Sequence, residues 1–301
     1  MALLAPPDKP TEIAARLSAG SRERPLDRVF RYALLAALLI ALAFILILLT
    51  FVLVKGWDRL DARLWQNQPS ARFAEKSGAQ SAIFGTLWVM AGTAALAMPF
   101  GIGAAIYLEE YGNPKSRLFT FIEVNVQNLA AVPSIIYGIL GLGLIARALG
   151  LGFTVATASI TLALLILPVV IIASREAIRS VPQEIRFGSL ALGATRWQTT
   201  WRQVLPAAIP GMATGSILAL SRAIGEAAPL LLLGAVSFIR FNPDSFLSDY
   251  TTLPIQIYNW IRDPREEFQV LGAATIVVLL VILLLMNSVA IFIRNRFQKR
   301  W

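Results

Sequence analysis

The stretch that decides the fold runs from residue 181 to residue 234 and reads VPQEIRFGSLALGATRWQTTWRQVLPAAIPGMATGSILALSRAIGEAAPLLLLG. Its first half is polar and basic, with a glycine at Gly193 and a Leu-Pro pair at 205–206. Its second half, from Met212 onward, is apolar over a length that crosses a bilayer, yet it carries one arginine and one glutamate. This order predicts a loop outside the membrane that leads into a membrane helix.

Composition places the whole chain in the same class. Of 301 residues, 56% are hydrophobic and only 15% are charged, which is more apolar surface than one soluble core buries. The chain has no cysteine and no histidine, so disulfides, thiolate metal sites and histidine chemistry are excluded. The net charge of +9 suits nucleic acid or an anionic membrane. Because Lys and Arg lie between apolar runs, orientation on a lipid bilayer is favoured, with no nucleic-acid partner.

Six apolar runs predict an all-α polytopic membrane protein with six transmembrane helices. The first run is followed by Lys55-Gly56 and not by a cleavage site, which indicates a retained anchor. We expect a cytoplasmic tail at 1–31, a periplasmic connector at 55–80, a core at 81–293 and a basic cytoplasmic tail at 294–301. The predicted spans are 32–54, 81–108, 118–145, 154–173, 212–238 and 268–293.

The distribution of basic residues predicts the orientation. Six spans put both termini on one side, and the segments on that side hold about twice as many Lys and Arg as the opposite segments. Both termini are therefore expected in the cytoplasm, together with the loop at 175–210. The segment from Arg240 to Glu267 is expected to be an outer loop.

A motif in the cytoplasmic loop resembles a known family. The segment LALGATRWQTTWRQVLP resembles the loop signature E-A-A-x3-G-x9-I-x-L-P of permease subunits of binding-protein-dependent ABC importers. The glycine corresponds to Gly193 and the Leu-Pro pair to Leu205-Pro206. Phe187, Gly188 and Ser189 replace the signature's E-A-A, Gln203 replaces its isoleucine, and Glu184 is a candidate substitute for the missing acid.

Further segments resemble one branch of this family, the inner-membrane permeases of the phosphate ABC importer, of the PstA type. They are GTLWVMAGTAALAMPFGIGAAIYLEEY, NLAAVPSIIYGILGL, LALLILPVVIIASREAIRSVPQEIR, LALGATRW and ALSRAIGEAAPLLLLGA, in this order along the chain. The resemblance implies the type I importer (MetI-like) permease fold in a bacterial inner membrane. It also implies import of inorganic phosphate by alternating access.

The resemblance implies four partners besides the bilayer: a homologous second permease, two copies of a cytoplasmic ATPase, and a periplasmic phosphate-binding protein. The chain contains no Gly-Lys dipeptide and so no Walker A phosphate loop. It is therefore expected to be no enzyme, to carry no cofactor or metal, and to leave ATP and Mg to the ATPase.

The loop is predicted to pass the ATPase's movement to the membrane helices. Gly193 allows the backbone to turn, and the Leu-Pro pair is expected to end the helix before it. A solvated basic loop is the alternative. The residues predicted to form the ATPase coupling loop are Leu192, Gly193, Ala194, Thr195, Arg196, Leu205 and Pro206.

Two acid–base pairs are candidates for the substrate path. Arg222 and Glu226 are expected near the middle of one helix, four residues apart on one face, where a charge costs about 2.5–3.5 kcal/mol. Arg222 is predicted to meet phosphate and Glu226 to accept a hydrogen bond from a protonated phosphate oxygen, which sulfate lacks. The alternative is that the two neutralise one another or pair with the second permease. Arg175 and Glu176 either line the exit or form an interfacial pair.

Other functions remain open on the residues alone. The substrate is alternatively another oxyanion such as sulfate, molybdate or phosphonate. An ion-coupled secondary anion carrier would usually show internal repeats, which the sequence lacks. A membrane scaffold would leave the arginine and glutamate in the fifth span unexplained. Glu123, Gln127 and Asn128 are expected to form hydrogen bonds between helices.

Overall fold

Most of the residues that the structure describes are helical. The computed structural model describes residues 25–233 and 239–297, and the predicted tails lie mostly outside these ranges. Helices of seven residues or more are labelled here in chain order. They are α1 (Pro25–Gly56), α2 (Gln80–Ile106), α3 (Arg117–Ala130), α4 (Ser134–Leu140), α5 (Val155–Arg179), α6 (Gln183–Ala191), α7 (Leu205–Ile224), α8 (Leu253–Arg262) and α9 (Glu266–Phe297).

In the described residues, five helical stretches are long and apolar enough to cross a membrane. A sixth span is obtained if the pair α3 and α4 counts as one broken span. The five stretches are Leu26–Arg59, Gln80–Tyr111, Val155–Arg179, Arg196–Ile224 and Glu266–Phe292. The all-α polytopic architecture is therefore confirmed.

The third predicted span, at 118–145, is not one continuous helix in the structure. The chain bends by 104° between Arg117–Ala130 and Ser134–Ala148. Pro133 lies at the break, where it cannot donate to the helix and disfavours helical geometry at Val132. The Tyr137 hydroxyl donates to the carbonyl of Leu129 across the break, at 2.9 Å, which stabilises the bend.

The expectation that Leu205-Pro206 ends a helix is wrong. Helical structure runs without a break from Arg196 to Ile224, and Pro206 lies inside it. Thr200–Val204, immediately before Leu205-Pro206, forms a wider π-helical turn. Because the hydrogen-bond ladder already changes there, the missing N–H of Pro206 is accommodated without a stop.

The far end of this span differs from the prediction too. The fifth helix was expected at 212–238, but α7 ends at Ile224 with Gly225 as its C-cap. Pro229 explains the stop, because its ring would clash with the carbonyl of residue 225 in a continuing helix. A short helix, Ala228–Leu232, follows, and residues 234–238 lie outside the described ranges. Arg222 therefore lies in the last turn of α7, and Glu226 lies beyond it.

The core lies where α2, α5 and α7 pack together. Small residues allow α5 and α7 to approach closely. A Cβ built on Gly211 would lie 2.7 Å from Ala177 Cβ, and one built on Gly215 would overlap Ala173 Cβ. The spacing of four residues on both helices is the small-residue pattern that membrane helices use for close contact.

The helix α8 covers the bundle near the N-terminal end of α2. It lies within the segment that was predicted as an outer loop. Leu253 and Ile255 are fully buried, and the Leu253 amide donates to Thr86 Oγ1 on α2 at 2.9 Å. The turn after α8 is held by Arg265, which donates to both carboxylate oxygens of Asp263 at 2.7 and 2.8 Å. Hydrogen bonding from Arg265 lowers the pKa of Asp263 to about 2.

Replacement of Gly215 by alanine tests the contact between α5 and α7. The added methyl group would overlap Ala173, so we expect a destabilisation of about 1–3 kcal/mol, visible as earlier thermal unfolding in detergent. Combining Gly215→Ala with Ala173→Gly should restore the unfolding temperature.

The matched control is Gly103→Ala in α2, because no atom lies within 4 Å of a Cβ built there. It should leave the unfolding temperature unchanged or raise it slightly. Equal effects of Gly215→Ala and Gly103→Ala would contradict the close packing of α5 and α7.

Candidate functional site

The polar loop between α5 and the next span contains one helix, α6, and a sharp turn at Gly193. The turn is a Schellman motif: the Gly193 amide donates to the Leu190 carbonyl at 3.0 Å, and the Ala194 amide to that of Ser189 at 3.2 Å. Gly193 has φ +84°, a left-handed conformation that other residues adopt at a cost. Its position after α6 therefore explains why the sequence has glycine there.

The chain leaves this turn directly into the next helical stretch. Thr195 is its N-cap and forms a capping box with Gln198, in which each side chain bonds the other residue's backbone amide. The hydroxyls of Ser189 and Thr199 lie 2.9 Å apart and join α6 to the second helix. α6 and the start of the helical stretch Arg196–Ile224 thus form a hairpin whose turn and cap are determined by local contacts.

The hairpin carries an open groove and exposed apolar side chains. The groove has a volume of about 560 Å³ and lies between α6 and the stretch after Thr195, with Glu184, Gly188 and Arg202 among its lining residues. Leu192, which also lines it, is 89% exposed. An apolar side chain of this exposure at the tip of the hairpin is suited to insertion into a partner protein.

The inner end of α5 carries an arginine that two glutamates hold. Arg175 is buried, and its Nε donates to Glu109 Oε2 at 3.3 Å, while its Nη2 donates to Glu123 Oε1 at 2.9 Å. Its guanidinium also lies 5.8 Å from the ring centroid of Phe119. Arg175 therefore joins α5 to the end of the second span and to α3.

Glu176, the neighbour of Arg175, is in a different environment. It is exposed, and its Oε1 accepts a hydrogen bond from Arg179 Nη1 at 3.3 Å. Arg179 also donates to both carboxylate oxygens of Glu109, at 2.9 and 3.1 Å. Of the predicted exit pair, only Arg175 is therefore buried among other charges.

One arginine connects α6 to two other elements. Arg186 donates through Nε and Nη2 to Glu110 Oε1, at 3.2 and 2.8 Å. It also donates to the carbonyls of Ile178 and Val181, at 2.9 and 2.6 Å. The carboxylate belongs to the π-helical extension of α2, Tyr107–Tyr111, and the carbonyls lie at the end of α5 and just after it.

The second predicted pair, Arg222 and Glu226, is in contact across the end of α7. Arg222 Nε lies 3.3 Å from Glu226 Oε1. The arginine side chain is 50% exposed, and in the described part of the chain its only hydrogen bond is the one from Nε. Four N–H groups of its guanidinium are thus available to a ligand.

Of the two predicted pairs, one has its members in contact with each other in the structure. Arg222 and Glu226 bond one another, whereas Arg175 and Glu176 bond other residues. Among the described residues, no hydrogen bond joins one pair to the other. Within the same ranges, no group of three or more acidic side chains is arranged to hold a metal ion.

Sequence reasoning missed the partners at the inner ends of the helices. The second span was predicted to end at residue 108, but Glu109 and Glu110 continue it as a helical extension and face the arginines of α5 and α6. A signal was present, because both glutamates and the arginines had been predicted on the same side of the membrane. What the sequence did not show was that α2 and α5 pack side by side.

The fold and this polar hairpin define a multi-pass membrane permease. The chain belongs to the family of inner membrane components of binding-protein-dependent transport systems, whose family model matches residues 97–301.

Individual relatives extend the match toward the N-terminus. The chain is 36% identical to phosphate transport system permease protein PstA 1 of Mycobacterium tuberculosis, over 91% of this chain and 90% of that protein. It is 31% identical to the probable ABC transporter permease protein YqgI of Bacillus subtilis, over 75% of this chain and 74% of that protein.

Solved structures agree on the fold. A chain of the bacterial ABC transporter involved in the import of alginate superimposes with a TM-score of 0.59, at 19% identity, over 91% of this chain and 99% of that chain. A chain of the MetNI methionine ABC transporter in an inward-facing conformation gives a TM-score of 0.57, at 17% identity, over 72% of this chain and 95% of that chain. The MetI-like permease fold is confirmed.

Replacement of Gly193 by alanine tests the Schellman turn. A residue with a Cβ costs about 1–2 kcal/mol in the left-handed conformation, so we expect faster hydrogen exchange of the amides at 192–195 in the purified protein. Gly193→Asn should have a smaller effect, because asparagine tolerates this conformation.

Gly188→Ala is the matched control, since Gly188 is helical and no atom lies within 4 Å of a Cβ built there. It should slow exchange in α6 or leave it unchanged. Identical protection in Gly193→Ala and the unmodified protein would refute the left-handed turn.

Proposed function

We propose that the chain is the transmembrane permease subunit of an ATP-driven importer that moves inorganic phosphate into the cytoplasm by alternating access. The observation that carries the proposal is its 36% identity, over 91% of its length, to a phosphate transport system permease. The same segments that resembled this branch in the sequence include Arg222 and Glu226, which supports a shared substrate.

ATP hydrolysis is assigned to a separate subunit. The chain has no Walker A loop, so ATP and Mg would bind a cytoplasmic ATPase dimer. The hairpin around Gly193 supplies the contact surface for that dimer, with Leu192 at its tip and the groove beside it. The complex would also contain a homologous second permease and a periplasmic phosphate-binding protein.

The arrangement of Arg222 and Glu226 supports phosphate as the ligand. Arg222 is half exposed and uses only one of its five N–H donors on Glu226, so an anion can bind the remaining four. The Glu226 carboxylate, held at 3.3 Å from the guanidinium, can accept a hydrogen bond from a protonated phosphate oxygen. Fully ionised sulfate has no proton to donate.

The location is assigned from the family and from the distribution of basic residues. We assign the chain to a bacterial inner membrane, with both termini and the Gly193 hairpin in the cytoplasm. On this assignment, α8 lies at the periplasmic end of the bundle. Arg175 and Glu109 lie near the cytoplasmic end, where Arg175 is a candidate for the exit of the substrate path.

Uptake and co-purification test the proposal together. Cells that lack the chain should lose high-affinity phosphate uptake and regain it when the chain is restored, while sulfate and molybdate uptake stay constant. The chain should also co-purify with an ATPase and a second permease. Purification of the chain alone, with uptake retained, would indicate a secondary carrier instead.

Replacement of Glu226 by glutamine tests the role of its charge. Loss of a charge-assisted hydrogen bond should reduce phosphate uptake by about ten- to hundredfold. Assembly, measured by co-purification, should be unchanged. Glu75→Gln, at an exposed position in the connector, is the matched control and should transport normally. Full uptake by Glu226→Gln would remove Glu226 from the substrate path.

A further inference from the structure

Arg186 attaches α6 to the ends of α5 and of the second span. Its four hydrogen bonds reach Glu110 in the second span, the carbonyl of Ile178 in the last turn of α5, and that of Val181 just after it. Because the last carbonyls of a helix lack partners within the helix, an arginine that binds them caps α5 as well. Three elements therefore meet at one side chain.

Both charged members of this contact are shielded from water. The side chains of Arg186 and Glu110 are 12% and 11% exposed. Separating a largely buried ion pair is unfavourable, because each charge is then poorly solvated and loses its partner. By contrast, the side chain of Arg179, on the neighbouring ion pair to Glu109, is 52% exposed. The contact made by Arg186 is thus the more rigid of the two.

The position of Arg186 relates this contact to the hairpin. It precedes Phe187, Gly188 and Ser189, the three residues that stand in place of the family's E-A-A. α6 ends in the Gly193 turn, so one end of this helix carries the proposed ATPase contact and its middle carries the buried ion pair. A displacement of the turn would reach Glu110 through a single helix.

We propose that the Arg186–Glu110 pair is the positioning link that makes α6 and the inner end of the second span move together, so that the ATPase cycle is converted into transport. This inference rests on the proposed function and assigns a role to two residues that are not among those predicted for ATPase coupling or for the substrate path. A purely structural pair would support folding without affecting how much substrate moves for each ATP.

The ratio of transport to hydrolysis separates these roles. The complete transporter would be reconstituted in liposomes, with phosphate uptake and ATP hydrolysis measured on the same vesicles. In Arg186→Gln, uptake per ATP should fall by about tenfold while hydrolysis continues. Glu110→Gln keeps the shape of its side chain and leaves the two hydrogen bonds from Arg186 to the backbone carbonyls in place. It should therefore cause a smaller decrease in uptake per ATP.

The matched control is Arg63→Gln, the same substitution at an exposed ion pair of the connector. It should leave uptake per ATP unchanged. Parallel loss of uptake and hydrolysis in both link variants would mean that the pair only maintains the fold. An unchanged ratio in both variants would likewise overturn the proposal.

A distance measurement tests the Arg186–Glu110 link and does not depend on which ion is transported. The chain has no cysteine, so spin labels at Gln183→Cys in α6 and Lys115→Cys after the second span would be specific on this chain. In the otherwise unmodified complex, their separation should be the same with and without trapped nucleotide. In Arg186→Gln it should change or broaden on trapping.

A separation that changes on nucleotide trapping in the unmodified complex would overturn the link. If the complex hydrolyses ATP but does not import phosphate, the assignment of phosphate as substrate is wrong. The separation of the labels then still shows whether α6 and the inner end of the second span move together.

Discussion

The structure depends on a single constraint: an arginine that leaves bulk water must meet a carboxylate or backbone carbonyls. Arg175 meets two glutamates, and Arg186 meets one glutamate and two carbonyls. Because these partners come from different helical elements, each arginine links helix ends that lie side by side. Arg222 satisfies the constraint only in part, since one glutamate covers one of its donors. The residue with unused donors is therefore the one suited to a ligand.

Close helix packing makes these charged contacts possible. The glycine and alanine pairs between α5 and α7 let the two backbones approach. Packing of α2 along α5 then places Glu109 and Glu110 opposite the arginines at the end of α5 and in α6. The apolar contacts give the bundle its core, and the ion pairs specify the register of its inner ends. The proposed transport cycle requires both, because a displacement at the hairpin moves the helices only if they are firmly connected.

Local signals in the sequence explain why much of the arrangement was predictable. Runs of apolar residues identified the membrane helices, and Gly193 identified the turn, since both depend on neighbouring residues alone. Proline effects were less predictable. Pro133 bends the chain by 104°, Pro206 lies inside a continuous helix, and Pro229 accompanies a helix end. The surroundings differ as well: a π turn precedes Leu205-Pro206, and a tyrosine hydrogen bond spans the break at Pro133.

The sequence by itself determined the all-α membrane class, the family and the position of the Gly193 turn, because apolar length, motif spacing and left-handed glycine are properties of contiguous residues. Tertiary structure alone decided the partners of the charges. Glu110 and Arg186 are 76 positions apart, and no local pattern ties them together. Only the packing of α2 against α5 brings them within hydrogen-bonding distance. A buried charge pairs with a group that the fold places nearby, so its partner depends on tertiary packing and not on distance along the sequence.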